Sequence, residues 1–150
     1  MEKKIVQVQE RTQQLIRQLL NVWESSVRAT HDFLSEEEII KIREYVPMAI
    51  ENVEYLIIAE KEFGEPVAFM GIDSNRLEML FLSPEVRGKE LGKQLLQSGI
   101  ETYNIQELTV NEQNPQAVGF YEHMGFQTYK RTEYDEEGNP YPLLYMRLSR

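Results

Sequence analysis

The sequence predicts an α/β fold: a mixed, mostly antiparallel twisted sheet of about six or seven strands with helices on both faces. Three observations predict it. Apolar residues recur at helical spacing near the N-terminus. A block of short strands, punctuated by turn residues, begins at Tyr55. Beyond Ser83, helix-type and strand-type stretches alternate to the end.

Taken in order, Lys4–Val8 alternates apolar and polar and reads as a first strand. From Glu10 to about Thr30, residues Ile16, Leu19, Leu20, Trp23 and Val27 form one buried helical stripe, with Trp23 a core residue. Residues 29–34 form a loop. Ser35 followed by Glu38 resembles a capping box and starts a second helix, which Pro47 ends or kinks. Tyr55–Ala59, Pro66–Ile72 and Arg76–Leu82 read as an antiparallel meander, joined by turns at 61–65 and 73–75. A helix over Gly88–Thr102 carries Leu91, Leu95, Leu96, Gly99 and Ile100 inward. It leads to a short strand, Glu107–Val110, which the helical crossover makes parallel to its partner. Asn114-Pro115 supplies an N-cap and a first-turn proline and Gly125 a stop, so Pro115–Met124 is a helix. Phe126–Glu133, the turn Asp135–Pro140 and Leu143–Leu148 close the chain as a hairpin.

The 150 residues suit a single domain with one core, spanning 1–150. A net charge of -9 argues against a nucleic-acid partner and is compatible with a cationic amine substrate. With no cysteine, disulfides, thiolate nucleophiles and Cys-ligated metals are excluded. No His/Asp/Glu cluster has metal-ligand spacing, so no metal is expected. The polar N-terminus and the lack of a long apolar run predict a cytoplasmic chain with no membrane partner.

The most informative stretch is Leu77–Gly92. An apolar strand gives way to a basic turn holding two glycines, Gly88 and Gly92, and then to a helix. Such a junction aims several backbone N–H groups and the positive end of a helix dipole at one spot, a seat for a phosphate or diphosphate. Two phosphate-binding patterns fail on spacing. Gly88 and Gly92 enclose three residues where a Walker A loop needs four, and Gln94 follows Lys93 where Ser or Thr is required. The glycine pattern of a dinucleotide-binding turn after an early strand is absent.

The run Arg87-Gly88-Lys89-Glu90-Leu91-Gly92 is similar to the diphosphate loop of the GNAT N-acetyltransferase superfamily, Arg/Gln-x-x-Gly-x-Gly/Ala. The preceding strand, ending Leu-Phe-Leu-Ser-Pro, resembles that family's fourth strand. Residues 111–126, from Asn111 through Asn114, Ala117, Phe120 and Tyr121 to Gly125-Phe126, resemble its second cofactor motif, Asn-x-x-Ala-x-x-Phe-Tyr-x-x-x-Gly-Phe. The likeness runs the whole chain in order. Arg-Ala-Thr-His-Asp-Phe-Leu at 28–34 and Pro-Tyr-Pro-Leu-Leu at 140–144 resemble one branch of small bacterial GNAT proteins.

The resemblance implies the GNAT acyltransferase fold, acetyl-CoA as cofactor, and transfer of acetyl to a small-molecule or peptide amine. Without a cysteine, direct attack in a ternary complex is the natural route. It implies that backbone groups of Leu80, Phe81 and Leu82 bind the pantetheine arm between splayed fourth and fifth strands. Arg87, Gly88, Lys89, Glu90, Leu91, Gly92 and Lys93 would hold the diphosphate. Asn111 and Asn114 would offer amides to cofactor or substrate, although Asn114 is also explained as a helix cap. Tyr121 would return a proton to the leaving thiolate; its other explanation is packing on Phe120 and Phe126. Glu78, two residues before Leu80 on the same strand, would share a face with Leu80 and Leu82 and serve as general base, unless that face is solvated. His31, Asp32 and Tyr141 would line the acceptor side, while His123 reads as a surface residue. Glu90 occupies the position of the family's middle loop glycine. Turned inward its carboxylate would repel a diphosphate; turned outward, with Arg87, Lys89 and Lys93 nearby, it would cost little. The alternative on the same fold is a non-catalytic acyl-CoA sensor or interaction module, and a homodimer is open to it.

Overall fold

The computed structural model describes residues 4–88 and 90–149. Seven strands form one sheet in the order β1-β2-β3-β4-β5-β7-β6. The first four are β1 (Lys4–Gln7), β2 (Tyr55–Glu60), β3 (Pro66–Asp73) and β4 (Arg76–Leu82), each antiparallel to the next. β5 (Glu107–Asn111) runs parallel to β4, and β6 (Phe126–Thr132) and β7 (Leu143–Leu148) close the sheet antiparallel.

Helices cover both faces. On one lie α1 (Gln13–Thr30), α2 (Glu36–Arg43) and α3 (Val46–Asn52). Leu19, Trp23 and Val27 of α1 meet Leu56, Ile58 and Phe69 of the sheet there, with Trp23 only 4% exposed. On the other lie α4 (Leu91–Tyr103) and α5 (Pro115–His123). Leu91, Leu95 and Leu96 pack with Ile57, Met70, Ile72, Leu108 and Phe126. The alternation of β2 and β3 residues between the two clusters is the period-two pattern of a sheet covered on both sides.

Local chemistry explains the helix ends. Thr12 caps α1 by accepting from Leu15 N–H at 3.1 Å. Ser35 and Glu38 close the expected capping box: Glu38 N–H donates to Ser35 Oγ at 3.2 Å and Ser35 N–H to Glu38 Oε1 at 2.8 Å. Asn114 caps α5 by accepting from Ala117 N–H. Pro47 does not stop a helix. It sits in the first turn of the short helix α3, where the missing N–H costs nothing. Arg11 reaches the far end of that helix, donating through Nη1 to the carbonyls of Ile50 and Glu51 at 3.0 and 2.9 Å and through Nη2 to Glu54 at 3.1 Å.

Two expectations shift at the site. The helix after β4 starts at Leu91, three residues later than expected, because Gly88 and Glu90 hold left-handed backbone, φ +75° and +65°. Nor does Glu78 share a face with Leu80 and Leu82. Gly71 pairs with Met79 and Ile72 with Leu77, so Glu78 is the extra residue of a β-bulge. Across that bulge Leu77, Leu80 and Leu82 face the α4/α5 cluster, while Met79 and Phe81 face α1.

Candidate active site

β4 and β5 are joined at only two residue pairs, Arg76 with Glu107 and Leu77 with Leu108. Beyond them the strands part, and the β5-facing edge of Leu80–Leu82 has no strand partner. Its other edge stays tied to β3, through Ala68, Phe69 and Met70. The opening is a wedge through the sheet that joins its two helical faces. A cleft of about 450 Å³ occupies it, lined by Leu80, Phe81 and Leu82 on one side and Ala117, Phe120 and Tyr121 of α5 on the other.

One end of the cleft is the turn between β4 and α4. Arg87, Gly88, Glu90, Gly92 and Lys93 all line it. The left-handed residues Gly88 and Glu90 turn the chain so that α4 starts at the cleft wall. Gln94 N–H donates to the Glu90 carbonyl at 3.0 Å, and the N–H groups of Leu91, Gly92 and Lys93 have no helical partner among the described residues. Leu91 offers only backbone here, since its side chain is in the core, 3% exposed. Glu90 is exposed at the rim. Arg87 donates through Nη2 to Gln116 Oε1 at 3.1 Å, tying this turn to the first turn of α5. The two sequence motifs therefore meet physically, through a glutamine that neither motif specifies. Lys89 lies outside the described residues.

Tyr121 lies deeper. Its ring sits between Phe120, centroids 5.3 Å apart, and Phe126, at 6.2 Å, and burial pushes the phenol well above its ordinary pKa. It stays protonated and available to donate throughout the physiological range. Packing on Phe120 and Phe126 and lining the cleft are thus both true of it. Asn114 combines its capping bond with a place in the cleft wall. His123 is exposed at the cleft edge.

From the opposite helical face, the end of α1 brings Ser26, Thr30 and His31 to the same cleft. Thr30 Oγ1 donates to the Ser26 carbonyl at 2.8 Å and stands 2.7 Å from His31 Nδ1. Burial lowers the pKa of His31, the charge of Arg87 lowers it further, and Asp32 opposes them. Phe33 lies 5.3 Å from the His31 ring, and Tyr141 lies 5.7 Å from Phe33. Tyr141 thus backs the loop after α1 through Phe33, and both it and exposed Asp32 stand outside the cleft lining.

Glu78 and Asn111 line a neighbouring cavity of about 250 Å³, with Arg76, Thr109 and the carboxylates of Asp135, Glu136 and Glu137. Burial raises the Glu78 carboxyl above the usual range. Arg76, at 3.4 Å, opposes this, while Asp73 and Glu136 add to it. The structure therefore brings together the turn between β4 and α4, the open strand edge, Asn114, Tyr121 and His31. It sets Glu78 and Asn111 beside them rather than among them. Thr30 and Gln116 escape sequence reasoning because a polar helix residue carries no periodic signal. No group of three or more His, Asp or Glu side chains among the described residues has the geometry of a metal site.

A split parallel pair in an otherwise antiparallel sheet, with a basic turn at the wedge mouth and a tyrosine inside, fits a cofactor-dependent acyltransferase. The acetyltransferase (GNAT) domain model matches residues 24–148, and the chain belongs to this family. It is 41% identical over 126 residues to the peptidyl-lysine N-acetyltransferase YjaB of Salmonella typhimurium LT2, covering 84% of this chain and 86% of that one. It is 39% identical over 127 residues to the protein of that name from Escherichia coli K12, covering 85% and 86%. The solution structure of apo YjaB from Escherichia coli superposes with a TM-score of 0.87 at 35% identity, covering 98% of this chain and 97% of that one. The PaiA N-acetyltransferase of Thermoplasma acidophilum, solved in complex with coenzyme A, has the same fold, with a TM-score of 0.71 at 22% identity over 98% and 99% of the two chains. The protein is thus an N-acetyltransferase acting on an amine.

Proposed function

We propose that the chain is an acetyl-CoA-dependent acetyltransferase of lysine side chains in proteins or peptides. The supporting observation is the two-pair β4–β5 junction with the open edge of Leu80–Leu82 beside it. The amide groups of a pantetheine arm would complete that edge as an added strand does. The N–H groups of the first turn of α4 and the cations Arg87 and Lys93 would hold the diphosphate. Glu90 is exposed at the rim, and its charge would face water when the diphosphate is seated. Lysine as acceptor is the activity named for the relatives of about 40% identity.

The thioester would then lie deep in the wedge, where a β4 N–H meets the developing oxyanion. The amine attacks directly, the C–S bond breaks, and Tyr121 gives its proton to sulfur. Glu78 lies outside the cleft lining, so proton removal by Glu78 would run through ordered water. Asn114 would hold the arm, and Tyr141 and Asp32 would shape the acceptor loop. The reading supports one catalytic domain over residues 1–150.

The test is acetyl-CoA consumption with lysine-containing peptides, N-terminal amines and polyamines as acceptors, read by thiol release and peptide mass. Acetylation at lysine Nζ is expected. Transfer restricted to N-terminal amines or polyamines contradicts the lysine assignment, and cofactor binding without any transfer favours the sensor.

A further inference from the structure

The geometry points to His31 as the general base that takes the proton from the acceptor amine, its ring fixed by Thr30. This rests on the lysine acetyltransferase reading above and names the proton acceptor within the same cleft.

A threonine hydroxyl has one proton to give. The Ser26 carbonyl, 2.8 Å away, is in place to take it. In the proposed arrangement it does, Thr30 accepts from His31 Nδ1 at 2.7 Å, and the ring proton sits on Nδ1. The lone pair is on Nε2, the nitrogen left for a ligand. Ser26 is 7% exposed and its carbonyl is part of α1, so the relay that sets the tautomer is anchored in rigid structure. Phe33 backs the ring and Tyr141 backs Phe33.

The other ionisable groups lining the cleft suit the task less well. Arg87 and Lys93 are cations, and Tyr121 holds its proton. Glu90 is exposed at the diphosphate end, and His123 is exposed at the outer edge. His31 enters from the face opposite Tyr121, because α1 and α5 cover opposite faces and the wedge joins them. Acid and base thus flank the thioester position from two sides. The charges acting on the ring are Arg87, which disfavours the imidazolium, and Asp32, which favours it. A diphosphate bound at Arg87 offsets the first, so the imidazole becomes more basic once the cofactor is seated.

The protons balance. His31 Nε2 takes one from the lysine ammonium and passes it to solvent. The neutral nitrogen adds to the thioester carbonyl. On collapse the C–S bond breaks, sulfur takes the Tyr121 proton, and the second nitrogen proton restores the phenol.

The chain has two histidines, so in His123→Gln a single imidazole remains for nitrogen-detected NMR. The expected result is the Nδ1–H tautomer at pH 7, with a titration midpoint that rises when coenzyme A is added. The Nε2–H tautomer overturns the assignment. In kinetics, wild type is expected to show an acid limb in kcat/KM. In His31→Gln that limb is replaced by a continuous rise toward the amine's own pKa, near 10.4. The loss is about 100-fold at pH 7 and shrinks as pH rises, with coenzyme A affinity retained. Thr30→Val is expected to disturb the tautomer and lower kcat more than it alters KM. If wild type acetylates lysine and His31→Gln keeps the acid limb, or if Glu78→Gln loses that limb instead, the base assignment alone falls. If wild type acetylates no lysine peptide, the lysine assignment falls and the base assignment with it.

Discussion

At the scale of the residue, the turn between β4 and α4 carries a strain that its family pattern avoids. Glu90 holds φ +65°, a conformation costing a side-chain-bearing residue roughly 1–2 kcal/mol. Glu90→Gly removes that cost and a negative charge from the rim, against a small loss in backbone entropy. Chemical denaturation is expected to show stabilisation of about 0.5–1 kcal/mol, and calorimetry tighter coenzyme A binding. At Gly92 the family pattern admits alanine as well as glycine. A Cβ there would lie 3.7 Å from Leu82 and Phe120, ordinary contact distance, so Gly92→Ala should fold with stability unchanged or raised by up to about 1 kcal/mol. The methyl group stays in ordinary contact, so coenzyme A affinity should change by less than about threefold, and a tenfold loss by calorimetry would show that the cofactor needs glycine here. Tyr121→Phe keeps the ring between Phe120 and Phe126 and loses only the donor. Turnover should fall about 10- to 100-fold with little change in acetyl-CoA affinity; equal turnover removes Tyr121 from the mechanism.

At the scale of the element, signals made by neighbouring residues were legible and those made by partner strands were not. The caps at Ser35 and Asn114 are sequence-local, and the structure has both. The parity rule that put Glu78 beside Leu80 failed because a bulge depends on what β3 presents opposite, and one extra residue reverses every face before it. The late start of α4 likewise follows from left-handed backbone at Gly88 and Glu90, and a glutamate gives no warning of that. Pro47 read as a stop because proline ends one helix and starts the next equally well. The end of α3 depends on Arg11, distant in sequence, whose guanidinium collects the carbonyls the helix leaves unpaired. Arg11→Ala should cost about 1.5–3 kcal/mol by denaturant unfolding and should leave the diphosphate turn intact. A loss under 0.5 kcal/mol would show that water replaces the clamp.

At the scale of the whole molecule, the architecture was legible because strand and helix periods, turn residues and the two motifs agree with one another. The composition of the site was legible only in part. The turn, the strand edge and Tyr121 could be placed from motifs, whereas the Thr30–His31 relay and the Arg87–Gln116 tie come from folding helices onto opposite faces of a split sheet. On the proposed function that split would make the ligand part of the fold, since a bound arm would supply the strand pairing that β4 and β5 lack beyond Leu77 and Leu108. Coenzyme A at about 100 times its Kd should therefore stabilise the protein by about 2.7 kcal/mol and raise Tm by roughly 5–10 °C. Amide exchange should slow at Leu80–Leu82 and in the first turn of α4.

The most direct measurement is a crystal structure grown with coenzyme A. The diphosphate is expected on the backbone N–H groups of residues 88–93 and the pantetheine arm along Leu80–Leu82, its sulfur beside Tyr121. A ligand lodged elsewhere, or β4 and β5 zipped together with the wedge closed, would contradict this.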